Sequence, residues 1–97
     1  MAAKSTRTNA LTWSLGGTTA DTFAWLDSPG LPYTMIVNHH ATELLWVRFD
    51  GTTAVAEAEG CILVPPAYGS VTFAMRGATL SIVGNGNKVT AVKKPSP

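Results

Sequence analysis

Charge is the scarcest thing in this chain. Only 13% of its 97 residues are charged, while 45% are hydrophobic. A soluble domain ordinarily carries roughly 25% charged residues. A small domain has a high ratio of surface to volume, so it needs more polar cover than average, not less. The shortage predicts that part of the folded surface is not wet in service, covered by copies of the chain or by a larger assembly. The few charges also nearly cancel. Seven Lys and Arg against six Asp and Glu leave +1, which provides no strong field for nucleic acid or a membrane surface.

Cysteine is almost missing as well. The single Cys61 has no internal disulfide partner, so burial and hydrogen bonding must hold the core. Its place in the apolar run Cys61–Val64 predicts a small buried hydrophobe rather than a nucleophile. Long apolar runs are absent. Leu44–Val47 and Cys61–Val64 are far too short to span a bilayer, and no membrane partner is expected. Met1–Thr8 carries charge with no apolar stretch behind it, so a secretory leader is not expected. Helical periodicity is missing too. The best helical candidate, Thr53–Glu59, is ended by Gly60 and predicts one turn or a loop at most.

The residues that are present favour strands. Val, Thr, Ile, Phe, Trp and Tyr recur between short turn signals. Leu11, Trp13 and Leu15 alternate with Thr12 and Ser14; Phe23 and Trp25 mark a short piece before Ser28-Pro29-Gly30. Tyr33, Met35 and Val37 alternate with Thr34, Ile36 and Asn38. Leu45, Val47 and Phe49 alternate with Leu44, Trp46 and Arg48. Cys61–Val64, the Val71–Met75 stretch and Leu80–Val83 follow, and Asn85-Gly86 reads as a hairpin turn leading into Lys88–Val92. The expectation is an all-β fold, an antiparallel β-sandwich or small barrel of seven to eight short strands. Residues 1–9 are read as a flexible N-terminal arm, 10–92 as the domain and 93–97 as a flexible tail.

Two strands are apolar on both faces. Opposite Leu45, Val47 and Phe49 stand Leu44 and Trp46 beside Arg48, and Ile36 lies opposite Tyr33, Met35 and Val37. A half-solvated antiparallel strand should be polar outside. Either a partner covers Leu44, Trp46 and Arg48, or loops or the N-terminal segment fold over them. Interfaces favour aromatic residues and Arg and lose Lys and Glu, which agrees with an assembly.

No local pattern carries catalysis. Adjacent strand residues point to opposite faces, so His39-His40 does not chelate one metal and reads as a surface or loop pair. Asp50-Gly51 reads as a turn, and Glu57 with Glu59 as a solvated acidic rim. Gly84-Asn85-Gly86 joins two strands rather than opening a helix, so it is no dinucleotide fingerprint. An oligonucleotide-binding fold would need a groove of Lys and Arg interleaved with aromatics. The folded part offers only Arg48, Arg76 and Lys88. No enzyme activity, cofactor, metal or specific nucleic acid is expected.

The segments Ile36-Val37-Asn38, Leu45-Trp46-Val47-Arg48-Phe49-Asp50-Gly51-Thr52, Ile62-Leu63-Val64-Pro65-Pro66, Gly69-Ser70-Val71 and Leu80-Ser81-Ile82-Val83-Gly84 form one ordered pattern. From about Tyr33 to Val92 it resembles small β-structured virion proteins of tailed bacteriophages. In these, an aromatic or aliphatic residue before Val-Arg-Phe-Gly is followed by Leu-x-Pro-Gly-Ser and Leu-Ser-Val-Ile. Pro65–Gly69 makes a longer turn than that pattern has, and the first 30 residues lie outside the resemblance.

The resemblance implies a structural role in the phage particle, as a capsid decoration (cement) protein, or as a head-completion or tail component. Its partners would be the major capsid protein or other virion subunits, and further copies of the chain, with a trimer favoured. Its location would be the virion, after synthesis in the host cytoplasm. An arm of about residues 2–12, through Lys4, Arg7 and Leu11, is the expected neighbour contact. The competing expectation is a carbohydrate- or receptor-binding β-module that stacks ligands on Trp25, Tyr33 and Tyr68.

Overall fold

The computed structural model describes residues 4–6, 10–25, 33–49, 52–74 and 79–95. Among these the alternating residues form nine strands and no helix. They are β1 (Lys4–Thr6), β2 (Ala10–Ser14), β3 (Asp21–Trp25), β4 (Tyr33–Asn38), β5 (Leu45–Arg48), β6 (Ile62–Val64), β7 (Gly69–Ala74), β8 (Leu80–Val83) and β9 (Lys88–Lys94). A five-stranded sheet has the order β1-β3-β8-β5-β6 and a four-stranded sheet the order β2-β9-β4-β7. The fold is all-β, a small sandwich. Every pairing is antiparallel except β1 with β3. Thr53–Glu59 forms turns and loop.

Between the sheets lie Phe23, Ile36, Leu45, Val47, Val64, Leu80, Ile82 and Val89, each fully buried. Burying one such side chain is worth about 1.5–3 kcal/mol. Two stacked ring pairs join the layers. Trp13 of β2 lies 5.3 Å from Phe23 of β3, and Phe49, just past β5, lies 4.6 Å from Phe73 of β7. The Trp13 indole Nε1 also donates to Asp21 Oδ2 at 3.1 Å, which gives the buried carboxylate a partner.

Two readings from sequence change, and a third point left open is decided. Asn85-Gly86 is not a hairpin turn, because β8 belongs to one sheet and β9 to the other. Only Gly86 of the two has positive φ, +70°, whereas a type I′ turn needs it at both. The segment is a crossing between layers. Residues 93–94, assigned to the tail, continue β9, and the expected arm contains β1 and most of β2. On β4 the buried residues are Thr34, Ile36 and Asn38, so the more apolar set, Tyr33, Met35 and Val37, is turned outward and half-buried.

The facing of β4 has a cause. Asn38 is needed inside. Its Nδ2 donates to Glu43 O at 2.9 Å and Val64 O at 3.3 Å. Its Oδ1 accepts from His40 N at 3.1 Å and from Asn87 Nδ2 at 2.8 Å. Asn87, also fully buried, donates to Glu43 O at 3.1 Å and accepts from Asn85 N at 2.7 Å. A Cβ on Gly84 would come 2.5 Å from Asn87 Oδ1, so this approach requires glycine. The pair ties β4, the β4–β5 loop, the end of β6 and the β8–β9 crossing together.

Asn87→Ala removes one amide and orphans buried partners, at an expected cost of about 2–3 kcal/mol. Urea denaturation should show a lowered midpoint with an unchanged m-value. A loss under about 0.5 kcal/mol would show that the pair does not hold this end of the sandwich.

Candidate functional site

Among the described residues the candidate site is surface rather than cavity. Among the described residues no three His, Cys, Asp or Glu side chains gather as a metal site. A hollow of about 90 Å³ lined by Thr22, Thr52, Thr53, Thr79 and Ser81 is well under the roughly 300 Å³ at which small-molecule pockets begin. What the fold does present is two sheet faces with little charge.

On the five-stranded sheet, β5 turns Leu45 and Val47 inward and Trp46 and Arg48 outward. Trp46 stands in register between Val83 of β8 and Leu63 of β6. Val83 is buried, while Leu44 and Leu63 are each 41% exposed. Of the alternatives left open by the sequence, cover by a loop is realised on one half of this face. Loop 52–60 covers the Arg48 half: Arg48 donates from an Nη to Glu59 O at 3.0 Å, and Ala54 N donates to Ser81 Oγ at 2.8 Å. Gly60 lies against the Arg48 guanidinium, which a Cβ would meet at 3.0 Å. Arg48 is therefore occupied in holding its own loop. The other half, Leu44, Trp46 and Leu63, remains an apolar patch.

On the four-stranded sheet, two rows of outward side chains cross all four strands. One runs Thr12, Thr90, Val37, Ser70 and the other Ala10, Val92, Met35, Thr72. Neither row contains a charge. Thr90 Oγ1 lies 2.8 Å from Thr12 Oγ1 and 2.6 Å from His39 Nε2. The His39 ring meets Tyr68 edge-on at 5.1 Å. Tyr68 is 69% exposed. It follows Ala67 in a turn where both have positive φ, 58° and 65°, held by Ala67 N to His40 O and Tyr68 N to Asn38 O. Positive φ at two non-glycine residues is a strained presentation of an aromatic ring. The His40 ring is used inward, its Nδ1 accepting from Thr42 N and Glu43 N.

The remaining expected residues scatter. Lys4 belongs to β1, and Arg7 lies outside the described residues. Leu11 is not on an arm but on β2, packed against the core. Trp25 ends β3, and Tyr33 is half-buried at the start of β4, away from Tyr68 at the other end of the β4–β7 ladder. Cys61, expected inside, is half-buried. Sequence reasoning missed the outward Met35–Val92 row and the inward asparagine pair. Alternation alone does not say which face of β4 is inside.

No protein-family model, curated protein or solved structure matches the chain.

Ser81→Ala leaves the buried Ala54 N–H without its acceptor, which costs about 1–3 kcal/mol and loosens the loop. A glutamate-specific protease should then cut after Glu57 or Glu59 several-fold faster than in wild type. Equal rates would show that Ser81 does not hold the loop.

Proposed function

We propose that this protein is a non-enzymatic structural subunit of a bacteriophage particle, a capsid decoration protein that binds the shell and its own copies. The observation that carries the reading is how little charge the outer faces hold: the Leu44–Trp46–Leu63 patch on one sheet and, on the other, the two charge-free rows that lie between Lys88 and Lys94. A free-standing domain this small keeps such surface wet at a cost, and contact with protein removes it. The virion assignment rests on the strand-and-turn pattern. Its segments fall on β4, β5, β6, β7 and β8, in order. Patches of this kind act by contact area and repetition around a shell. A trimer is the proposed oligomer, and a head-completion or tail position is the alternative within the same class.

Tyr68 favours a second reading, a carbohydrate- or receptor-binding module. Its exposed, strained ring stands beside the His39–Thr90–Thr12 polar row. Saccharide titration followed by NMR shifts at Tyr68 and His39 distinguishes this reading.

Light scattering on a sizing column at several micromolar should give the mass of a trimer or larger ring. A monomer at every concentration sinks self-association and raises the second reading. The double variant Leu44→Lys with Leu63→Lys should change stability by under about 0.5 kcal/mol, because both sites are exposed. It should also lose co-sedimentation with purified phage shells. Undiminished binding would move the contact off this patch.

A further inference from the structure

Four strands occupy the edges of the two sheets. Those of the five-stranded sheet are short. β1 and β6 have three residues each, and Pro65-Pro66 follows β6. Shortness and proline blunt an edge against pairing. The four-stranded sheet is different: its edges have five residues in β2 and six in β7, with no charge and no proline in either.

The direction of the edge groups follows from two bonds. His39 N donates to Lys88 O at 2.9 Å, and Leu15 N donates to Asn87 O at 2.8 Å. Successive residues of an antiparallel ladder bond to alternate sides. Odd residues of β4 therefore bond β9, and its even residues bond Gly69, Val71 and Phe73 of β7. The backbone N–H and C=O groups of Ser70, Thr72 and Ala74 point away from the sheet. Odd residues of β2 bond β9 in the same way, so the groups of Thr12 and Ser14 point away at the opposite edge.

We propose that β7 of one copy pairs antiparallel with β2 of the next, head to tail, with Thr72 opposite Thr12 and Ser70 opposite Ser14. This inference rests on the assembly reading and names its partner, a second copy of this chain. Within one sheet β2 and β7 run in opposite directions, because three antiparallel steps separate them. Two copies placed side by side therefore meet in the antiparallel sense without inversion. The register keeps outward residues together and sets Val71 opposite Trp13 and Phe73 opposite Leu11, apolar against apolar. No charge enters the pair; the row that ends in Thr72 continues into the neighbour's uncharged Thr12–Thr90 row, and the row that ends in Ser70 meets Ser14, next to Lys88. A head-to-tail contact that closes forms a ring and leaves the four-stranded sheet without an open edge.

Proline at either edge tests this without touching the ladder inside a subunit. Thr72→Pro and Thr12→Pro each remove an N–H that points outward. Each should weaken association by on the order of tenfold or more, with unchanged circular dichroism. A second test is independent of proline tolerance. Thr12→Cys with Thr72→Cys in a Cys61→Ser background should oxidise to a covalent ladder that stops at one closed size. The two positions sit on opposite edges of one subunit, roughly 14 Å apart, beyond the reach of an internal disulfide. An oligomer that survives both prolines and does not cross-link overturns the edge pairing and leaves assembly through the sheet faces standing. Loss of association with Thr72→Pro but not Thr12→Pro overturns the head-to-tail pairing in favour of β7 with β7. A wild-type monomer that does not cross-link removes both this inference and the self-association it rests on.

Discussion

The hydrogen-bonded pair of Asn38 and Asn87 is the constraint on which the rest of the sandwich depends. Two amides with no exposure sit where four chain segments meet. A buried amide is costly unless its groups are satisfied, and among the described residues no buried side-chain polar atom lacks a partner. The apolar core alone would tolerate many arrangements of these strands. The amides do not, because each of their bonds fixes a particular loop at a particular distance. Asn38 inside commits β4 to one face, and that commitment turns Met35 and Val37 outward.

The outward apolar side chains are thus a consequence of how the interior is specified. The same holds on the other sheet. Arg48 and Ser81 anchor the loop over one half of the face, and its cover stops before Leu44 and Leu63. The low charge of the chain leaves uncharged stretches on both outer faces, and among the described residues β2 and β7 are the edges of the four-stranded sheet, with no charge in either. Such a surface suits protein contact more than chemistry. Its largest resource is backbone hydrogen bonding and apolar area, and neither discriminates a small molecule.

Most strands were legible in the sequence because alternation is a local property. Leu11 and Trp13, Leu45 and Val47, and Leu80 and Ile82 are recognisable from their own neighbours. The pairing was not legible. Of the eight steps from one strand to the next, only β5 to β6 stays within a sheet, so nearly every partner is distant in the chain. Asn85-Gly86 looked like a hairpin because its residues favour a tight turn, and that preference is silent about which layer receives the next strand.

The candidate site divides in the same way. Composition by itself determined that the chain has too little charge to cover its surface, and the residue types determined that it is built of strands. Only the tertiary structure decided which face of β4 is outside, that Arg48 is occupied by its own loop, and which backbone groups of β2 and β7 point away from the sheet. The physical reason is that propensity and alternation act over a few residues. Facing and edge status are set by hydrogen bonds between residues such as Asn38 and Asn87, far apart in the chain.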